Sequence, residues 1–206
     1  MKGFVTFEGC EGVGKSTQIR LLREYLEGEK KDFVLTREPG GSRLAEKIRA
    51  VILDAGNAEM CDPCEALLYA AARAQHLYEI IIPALKAGKL VICDRYTDST
   101  YAYQGFAKGL GRAWIDELNR LSVGEYTPEL TIFLDLDPTS AFARKGGRDE
   151  GDRLEMLGAD FHKKVYQGYL LLAERDPERF VRVDASGSKQ QTHEKVLALL
   201  RARGLI

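Results

Sequence analysis

Residues Gly9-Cys10-Glu11-Gly12-Val13-Gly14-Lys15-Ser16-Thr17 carry the spacing of a phosphate cradle. Glycines at fixed positions let successive backbone N–H groups point at one anion. The lysine then reaches the outer phosphates, and the Ser16 hydroxyl is suited to ligate Mg²⁺. The loop follows an apolar run, Phe4-Val5-Thr6-Phe7, and opens a helical pattern with Ile19, Leu22, Tyr25 and Leu26 on one face. That is the strand–loop–helix context such a cradle requires, and it predicts binding of a nucleoside triphosphate through Gly9 to Thr17. Glu11 is the odd member, since a carboxylate facing inward would repel phosphate. Either it faces outward, towards a hydroxyl or a metal-bound water, or it is a tolerated solvent-facing loop residue.

Other charged residues extend the chemistry. Leu90-Val91-Ile92-Cys93-Asp94 is an apolar strand ending in a carboxylate suited to hold Mg²⁺ opposite the loop; Asp135, which ends a similar run, is the alternative. Arg95 follows at the carboxyl end of a strand, where α/β sheets bind ligands. Thr36-Arg37-Glu38-Pro39-Gly40-Gly41 ends another strand in Arg37 and a stiff turn. Arg49 lies off the apolar stripe of its helix, so it either faces a cleft or is a solvated charge. Arg73 sits among small apolar residues between Leu67 and Gln75, where an unpaired charge is costly. It is either half of an internal ion pair or a ligand contact. The stretch from Arg144 to Arg153, rich in glycine and basic residues, reads as a mobile flap.

Phosphoryl transfer to a second phosphate brings like charges together, so several cations must cancel the repulsion. An acceptor that is itself a phosphate needs no strong base, because its oxygens are largely ionised near pH 7. Lys15, the strand-end arginines and the flap supply the cations, and His76 is the one histidine near any motif. The combination favours a nucleotide kinase over a sugar kinase.

The elements that must position these residues follow from hydrophobic pattern. Apolar runs at 4–7, 33–36, 90–93, 130–136 and 180–183 alternate with helical patterns at 44–53, 65–85, 112–122, 155–174 and 189–202, with Pro83 marking a kink or last turn. This predicts an α/β fold: a five-stranded parallel sheet with right-handed crossovers and helices on both faces, in one domain over 1–206 with a lid at about 144–153. Of the 206 residues, 45% are apolar and 30% charged, with a net charge of −1, so no electrostatic case exists for nucleic-acid or membrane binding. The first residues form a core strand rather than a signal peptide, and no apolar run approaches membrane-span length, which predicts a cytoplasmic protein. Cys61-Asp62-Pro63-Cys64 is a lone pair without a second Cys or His pair, and reads as loop cysteines rather than a metal or redox site.

Five ordered motifs resemble the thymidylate kinase family along the whole chain. They are Phe-Glu-Gly-x-Glu-Gly-x-Gly-Lys-Ser-Thr at 7–17, Thr-Arg-Glu-Pro-Gly-Gly at 36–41, Ala-x-Arg-x-Gln-His at 71–76, Asp-Arg-Tyr-x-x-Ser-x-x-Ala-Tyr-Gln-Gly at 94–105, and the basic flap. The resemblance implies the P-loop fold, γ-phosphoryl transfer from ATP to dTMP with Mg²⁺, and a homodimer. It implies that Glu11, Arg37, Pro39, Arg49, Tyr69, Arg73, Arg95, Ser99, Thr100, Tyr103 and Gln104 contact dTMP. Arg49 and Arg95 would hold its phosphate, Arg73 the thymine carbonyl, and Tyr69, where the family more often has Phe, the ring face. Tyr103 would reject a 2′-hydroxyl, Ser99 or Thr100 would help read the base, and Glu11 would approach the 3′-hydroxyl or the metal. Ser16 and Asp94 would hold Mg²⁺; Lys15, Arg95, Glu11, Arg148 and Arg153 would be catalytic. An acidic phosphate loop with a basic flap is similar to the bacterial-like branch, and adenine would rest against the flap and the loop after Asp184. A kinase of the same fold with another acceptor is one rival. A GTP switch is the other, but guanine-reading Asn-Lys-x-Asp is absent and Asp184-Ala-Ser-Gly187 follows every other motif.

Overall fold

Continuous Val, Ile, Leu and Phe without polar alternation fits strands covered on both faces. The computed structural model, which describes residues 1–144, 153 and 157–206, forms them at β1 (Phe4–Glu8), β2 (Phe33–Arg37), β3 (Leu90–Asp94), β4 (Leu130–Asp135) and β5 (Phe180–Asp184). β1, β3 and β4 are buried almost throughout, whereas the edge strands β2 and β5 are partly open. All pairs are parallel, in the order β2-β3-β1-β4-β5, with Phe7 beside Asp94 and Asp94 beside Arg37.

The helices are α1 (Lys15–Gly28), α2 (Arg43–Leu53), α3 (Asp62–His76), α4 (Ile82–Lys86), α5 (Thr97–Thr100), α6 (Arg112–Val123), α7 (Pro138–Arg144), α8 (Gly158–Arg175) and α9 (Lys189–Ala202). The chain leaves β1 towards β2 but leaves β3 towards β4, the opposite direction across the sheet. Right-handed crossovers therefore put α1 on one face, where it packs on α9, and α2, α3, α6 and α8 on the other. The carboxyl ends of neighbouring β1 and β3 thus open a crevice, which is where open α/β sheets bind ligands.

Two helical segments depart from the sequence reading. The stretch expected at 65–85 starts at Asp62 and contains a π-turn, Leu77–Ile81, just before Pro83. Proline has no N–H and crowds the carbonyl four residues back, and a widened turn relieves both. The segment after β3, outside the helical patterns of the sequence, is α5 followed by π-turns over Tyr101–Ala107. Gly168 of α8 lets that segment approach closely, because a Cβ there would lie 3.0 Å from Ala102 Cα. Cys61 precedes α3 and Cys64 lies in its first turn; both are exposed and free. Among the described residues, no helix is long and apolar enough to cross a membrane.

Candidate active site

The loop after β1 owes its path to glycine. Gly9 has φ 139°, and a Cβ there would meet the Leu134 carbonyl at 2.8 Å, so only glycine passes between β1 and β4. Gly14, at φ 102°, turns the chain into α1. Lys15 Nζ donates to Gly9 O at 2.9 Å and Cys10 O at 3.0 Å. Burial and then repulsion from Arg95 lower its pKa to about 8, against the pull of Asp94 and Glu11. Cys10 is also buried, and burial pushes its thiol up to about 11, so it is an inert wall of the loop. Ser16 is exposed at the start of α1.

Beside this loop lies a cavity of about 150 Å³. Its wall contains every residue that the resemblance assigns to dTMP: Glu11 from the loop, Arg37 at the end of β2 and Pro39 after it, Arg49 on α2, Tyr69 and Arg73 on α3, Arg95 after β3, and Ser99, Thr100, Tyr103 and Gln104 on the following helical segment. Leu53, Glu38 and Asp94 also line it. Elements separated by up to a hundred residues of sequence converge because β1, β2 and β3 are adjacent and end on the same side of the sheet.

Arg73 forms the internal ion pair that its sequence context allows, and it also lines the cavity. It is 2% exposed; its Nε donates to Glu38 Oε2 at 2.6 Å and one terminal nitrogen to Tyr96 O at 3.0 Å. The other terminal nitrogen, Nη1, is buried without a partner among the described residues. Glu38 is also bound by His76 Nδ1 at 3.0 Å, and His76 Nε2 meets Thr36 Oγ1 at 2.6 Å. This network follows the cis Glu38–Pro39 bond, whose Pro39 carbonyl accepts from both Arg37 and Arg49 at 2.8 Å. Arg37 also pairs with Glu46 at the surface.

Arg95 has φ 71°, an uncommon conformation for a residue with a Cβ. Its guanidinium lies 3.6 Å from Glu11, 5.2 Å over the Tyr103 ring, and donates to Ser99 Oγ at 3.3 Å and Tyr169 Oη at 3.1 Å. Ser99 lines the cavity and is at the same time hydrogen-bonded to Arg95. Tyr103 Oη, Thr100 Oγ1 and Asp94 Oδ1 are buried without partners among the described residues. Gln104 donates to the fully buried Glu65, which also receives Lys108. Asp135, the alternative metal ligand, is occupied by Tyr166 at 2.8 Å and Arg182 at 2.7 Å.

Of the flap arginines, Arg144 donates to the carbonyls of Ala185 and Ser186, beyond β5. Arg153 binds Glu65, donates to Ile52 O at 3.1 Å, and is not among the residues lining the cavity. Arg148 lies outside the described residues, as does the interior of the flap. Sequence reasoning gave no role to Glu8, Glu38, His76 or Tyr169. The first three lie inside the quoted motifs, but nothing in one sequence names their partners.

The family model for thymidylate kinase matches residues 7–196 of the chain. Among relatives, the chain is 51% identical over 189 residues to the thymidylate kinase of Geobacillus sp. (strain WCH70), covering 90% of each. It is 48% identical over 206 residues to that of Citrifermentans bemidjiense, covering 97% of this chain and 92% of the relative. The crystal structure of thymidylate kinase from Ehrlichia chaffeensis superposes with a TM-score of 0.78 at 34% identity, over 96% of this chain and 97% of that one.

Proposed function

The chain belongs to the thymidylate kinase family, and we propose that its cleft transfers the γ-phosphoryl group of ATP to dTMP, giving ADP and dTDP for dTTP synthesis. The observation that carries the reading is Arg73, a guanidinium fixed by a buried pair whose spare Nη1 is buried and unpartnered at the cavity wall. Such a donor suits a base carbonyl, since a buried N–H left unmade is costly.

In this reading the triphosphate lies along Gly9–Thr17, and Lys15 leaves the loop carbonyls for the outer phosphates. Arg95 and Arg49 hold the acceptor phosphate, so that an oxygen of dTMP attacks the γ-phosphorus as ADP departs. Tyr69 covers the thymine and Glu11 approaches the sugar hydroxyl beside Arg95. Gln104 and Thr100 complete the base end, with Arg37 and Pro39 bracing Arg49. The exposed Ser16 hydroxyl and the unpartnered Asp94 Oδ1 fit Mg²⁺, which protein oxygens commonly hold in small number together with substrate phosphates. When bound, the ion would neutralise phosphate charge. Arg148 and Arg153 are the flap residues proposed to reach the phosphates, Arg153 on leaving its pair with Glu65. One domain, a cytoplasmic setting and a homodimer complete the reading, the last supported by exposed Leu44, Val51 and Leu67 on the mutually packed α2 and α3.

A coupled assay across monophosphates tests the acceptor. Turnover should be much faster with dTMP than with dCMP, AMP or thymidine, and comparable turnover of any of these would remove the assignment. Tyr103→Phe in the same assay should lower the deoxy-over-ribo preference among pyrimidine monophosphates by roughly tenfold, because it clears an oxygen from the sugar's floor. An unchanged ratio would take Tyr103 out of that role.

A further inference from the structure

We propose that Glu8 is the positioning residue for Arg95: one carboxylate oxygen fixes the backbone beside the arginine, and the other fixes its guanidinium through the hydroxyls of Ser99 and Tyr169. The inference rests on the reading of Arg95 as the arginine that holds the acceptor phosphate. Glu8 ends β1, is 0% exposed and cannot touch a substrate. Its Oε1 accepts from Tyr96 N at 2.7 Å, immediately after the residue held at φ 71°. Its Oε2 accepts from Ser99 Oγ at 2.6 Å and Tyr169 Oη at 2.9 Å. Both hydroxyl oxygens then face Arg95, which donates to them.

The direction of these bonds depends on the charge of Glu8. A carboxylate only accepts, so both hydroxyl hydrogens point at Oε2 and their lone pairs remain for the guanidinium, which only donates. A protonated Glu8 reverses this. With Oε1 taken by Tyr96 N–H, the added proton sits on Oε2, and the hydroxyl that accepts it turns its own hydrogen towards the other hydroxyl, 3.0 Å away, or towards Arg95; either way the carboxylate charge no longer draws both hydroxyl hydrogens away from the guanidinium. The relay therefore holds Arg95 most firmly while Glu8 is ionised.

The groups facing Glu8 place that change near neutrality. Burial raises its pKa most, followed by Asp98 of α5; Arg95, the Ser99 hydroxyl and the Tyr96 N–H lower it, and the result is about 7. Asp98 is itself paired with Arg179 at 2.8 Å, Tyr169 approaches from α8, and Cys93 and Arg73 lie within electrostatic range. The pKa is raised from 4.5 to about 7, so this group's contribution to stability is complete below the lower value and lost as pH rises through the upper one.

The test is kcat/KM for dTMP from pH 5.5 to 8.5, with saturating Mg·ATP, in the full-length protein and in Glu8→Gln. The amide resembles protonated Glu8, so the wild-type to variant ratio should be about tenfold or more at pH 8 and approach one at pH 5.5. Taking the ratio cancels the ionisation of dTMP itself. A ratio that is constant with pH would reduce Glu8 to a structural part and overturn the proposal. If Glu8→Gln does not fold, Ser99→Ala/Tyr169→Phe serves in its place. Cutting the relay should give the same loss at pH 8 and the same convergence at low pH; a pH-independent ratio there would likewise overturn it. In that double variant adding Glu8→Gln should cost nothing more, whereas an additive loss would also count against the relay. Wild-type turnover of dTMP judges the acceptor assignment separately, so its failure and that of the relay are distinguishable.

Discussion

Lys15→Ala lowers turnover of dTMP by at least about a thousandfold while leaving the protein folded and no less stable. The two halves of this expectation have one cause. Nζ is held inside the loop by two carbonyls, close enough to Arg95 for the cations to repel, and burial lowers its pKa to about 8. A preorganised charge in a site shielded from water stabilises developing negative charge far more than a mobile surface charge does. It also costs stability in the empty protein, because a buried cation that would rather lose its proton opposes folding. Between pH about 8 and 10.5 the unfolded chain holds the additional proton, so the cost is greatest below that window and eases through it. Alanine removes the cost together with the function. Thermal unfolding at pH 7 should therefore show a midpoint equal to or above wild type, beside a steady-state assay at background. Activity within tenfold of wild type would contradict the phosphate-binding role of the loop, and a lower midpoint would show the loop depends on Lys15 for its shape.

How much of this was legible in the sequence depended on whether a residue's partner was near in sequence. The phosphate loop was readable because its chemistry lies within nine consecutive residues, and the strands because burial on both faces leaves an unmistakable apolar run. Arg73 is anomalous among its neighbours, but its partner Glu38 lies 35 residues away, after β2, and meets it only in the folded chain. Glu8 left no such trace. An acid after an apolar strand looks like a surface terminus, and its ligand Tyr169 is 161 residues distant. The helical segment over 97–107 escaped for another reason. It holds two Thr, two Tyr, an Asp, a Ser and a Gly, which are modest or poor helix formers, and its π-turns follow a period wider than 3.6 residues. Its helicity comes from packing on α8, where Gly168 permits close approach. Asp94 is the favoured strand-ending acid in sequence and Asp135 the alternative; in the fold Asp135 is paired with Arg182, a partner 47 residues away that its own segment does not announce.

The same dependence on a distant partner makes Arg73→Met the most damaging change to the acceptor side. Methionine fills much of the volume but leaves Glu38, 5% exposed, without its cation. Removing one member of a buried pair costs about 3–5 kcal/mol, since the remaining charge keeps its desolvation penalty. For a chain of this size that lowers the unfolding midpoint by of order 10 °C. The substitution also deletes the unpartnered Nη1 donor, so KM for dTMP should rise by roughly 10- to 100-fold, the worth of a hydrogen bond from a charged donor. The two effects separate in Arg73→Met/Glu38→Gln. Replacing both members removes the stranded charge, and the midpoint should recover most of its loss. The dTMP donor stays absent, so KM should remain high. Recovery of both would mean that Arg73 acts on the substrate only by holding the fold, and recovery of neither that Glu38 supports the site through His76 and Thr36 as much as through Arg73.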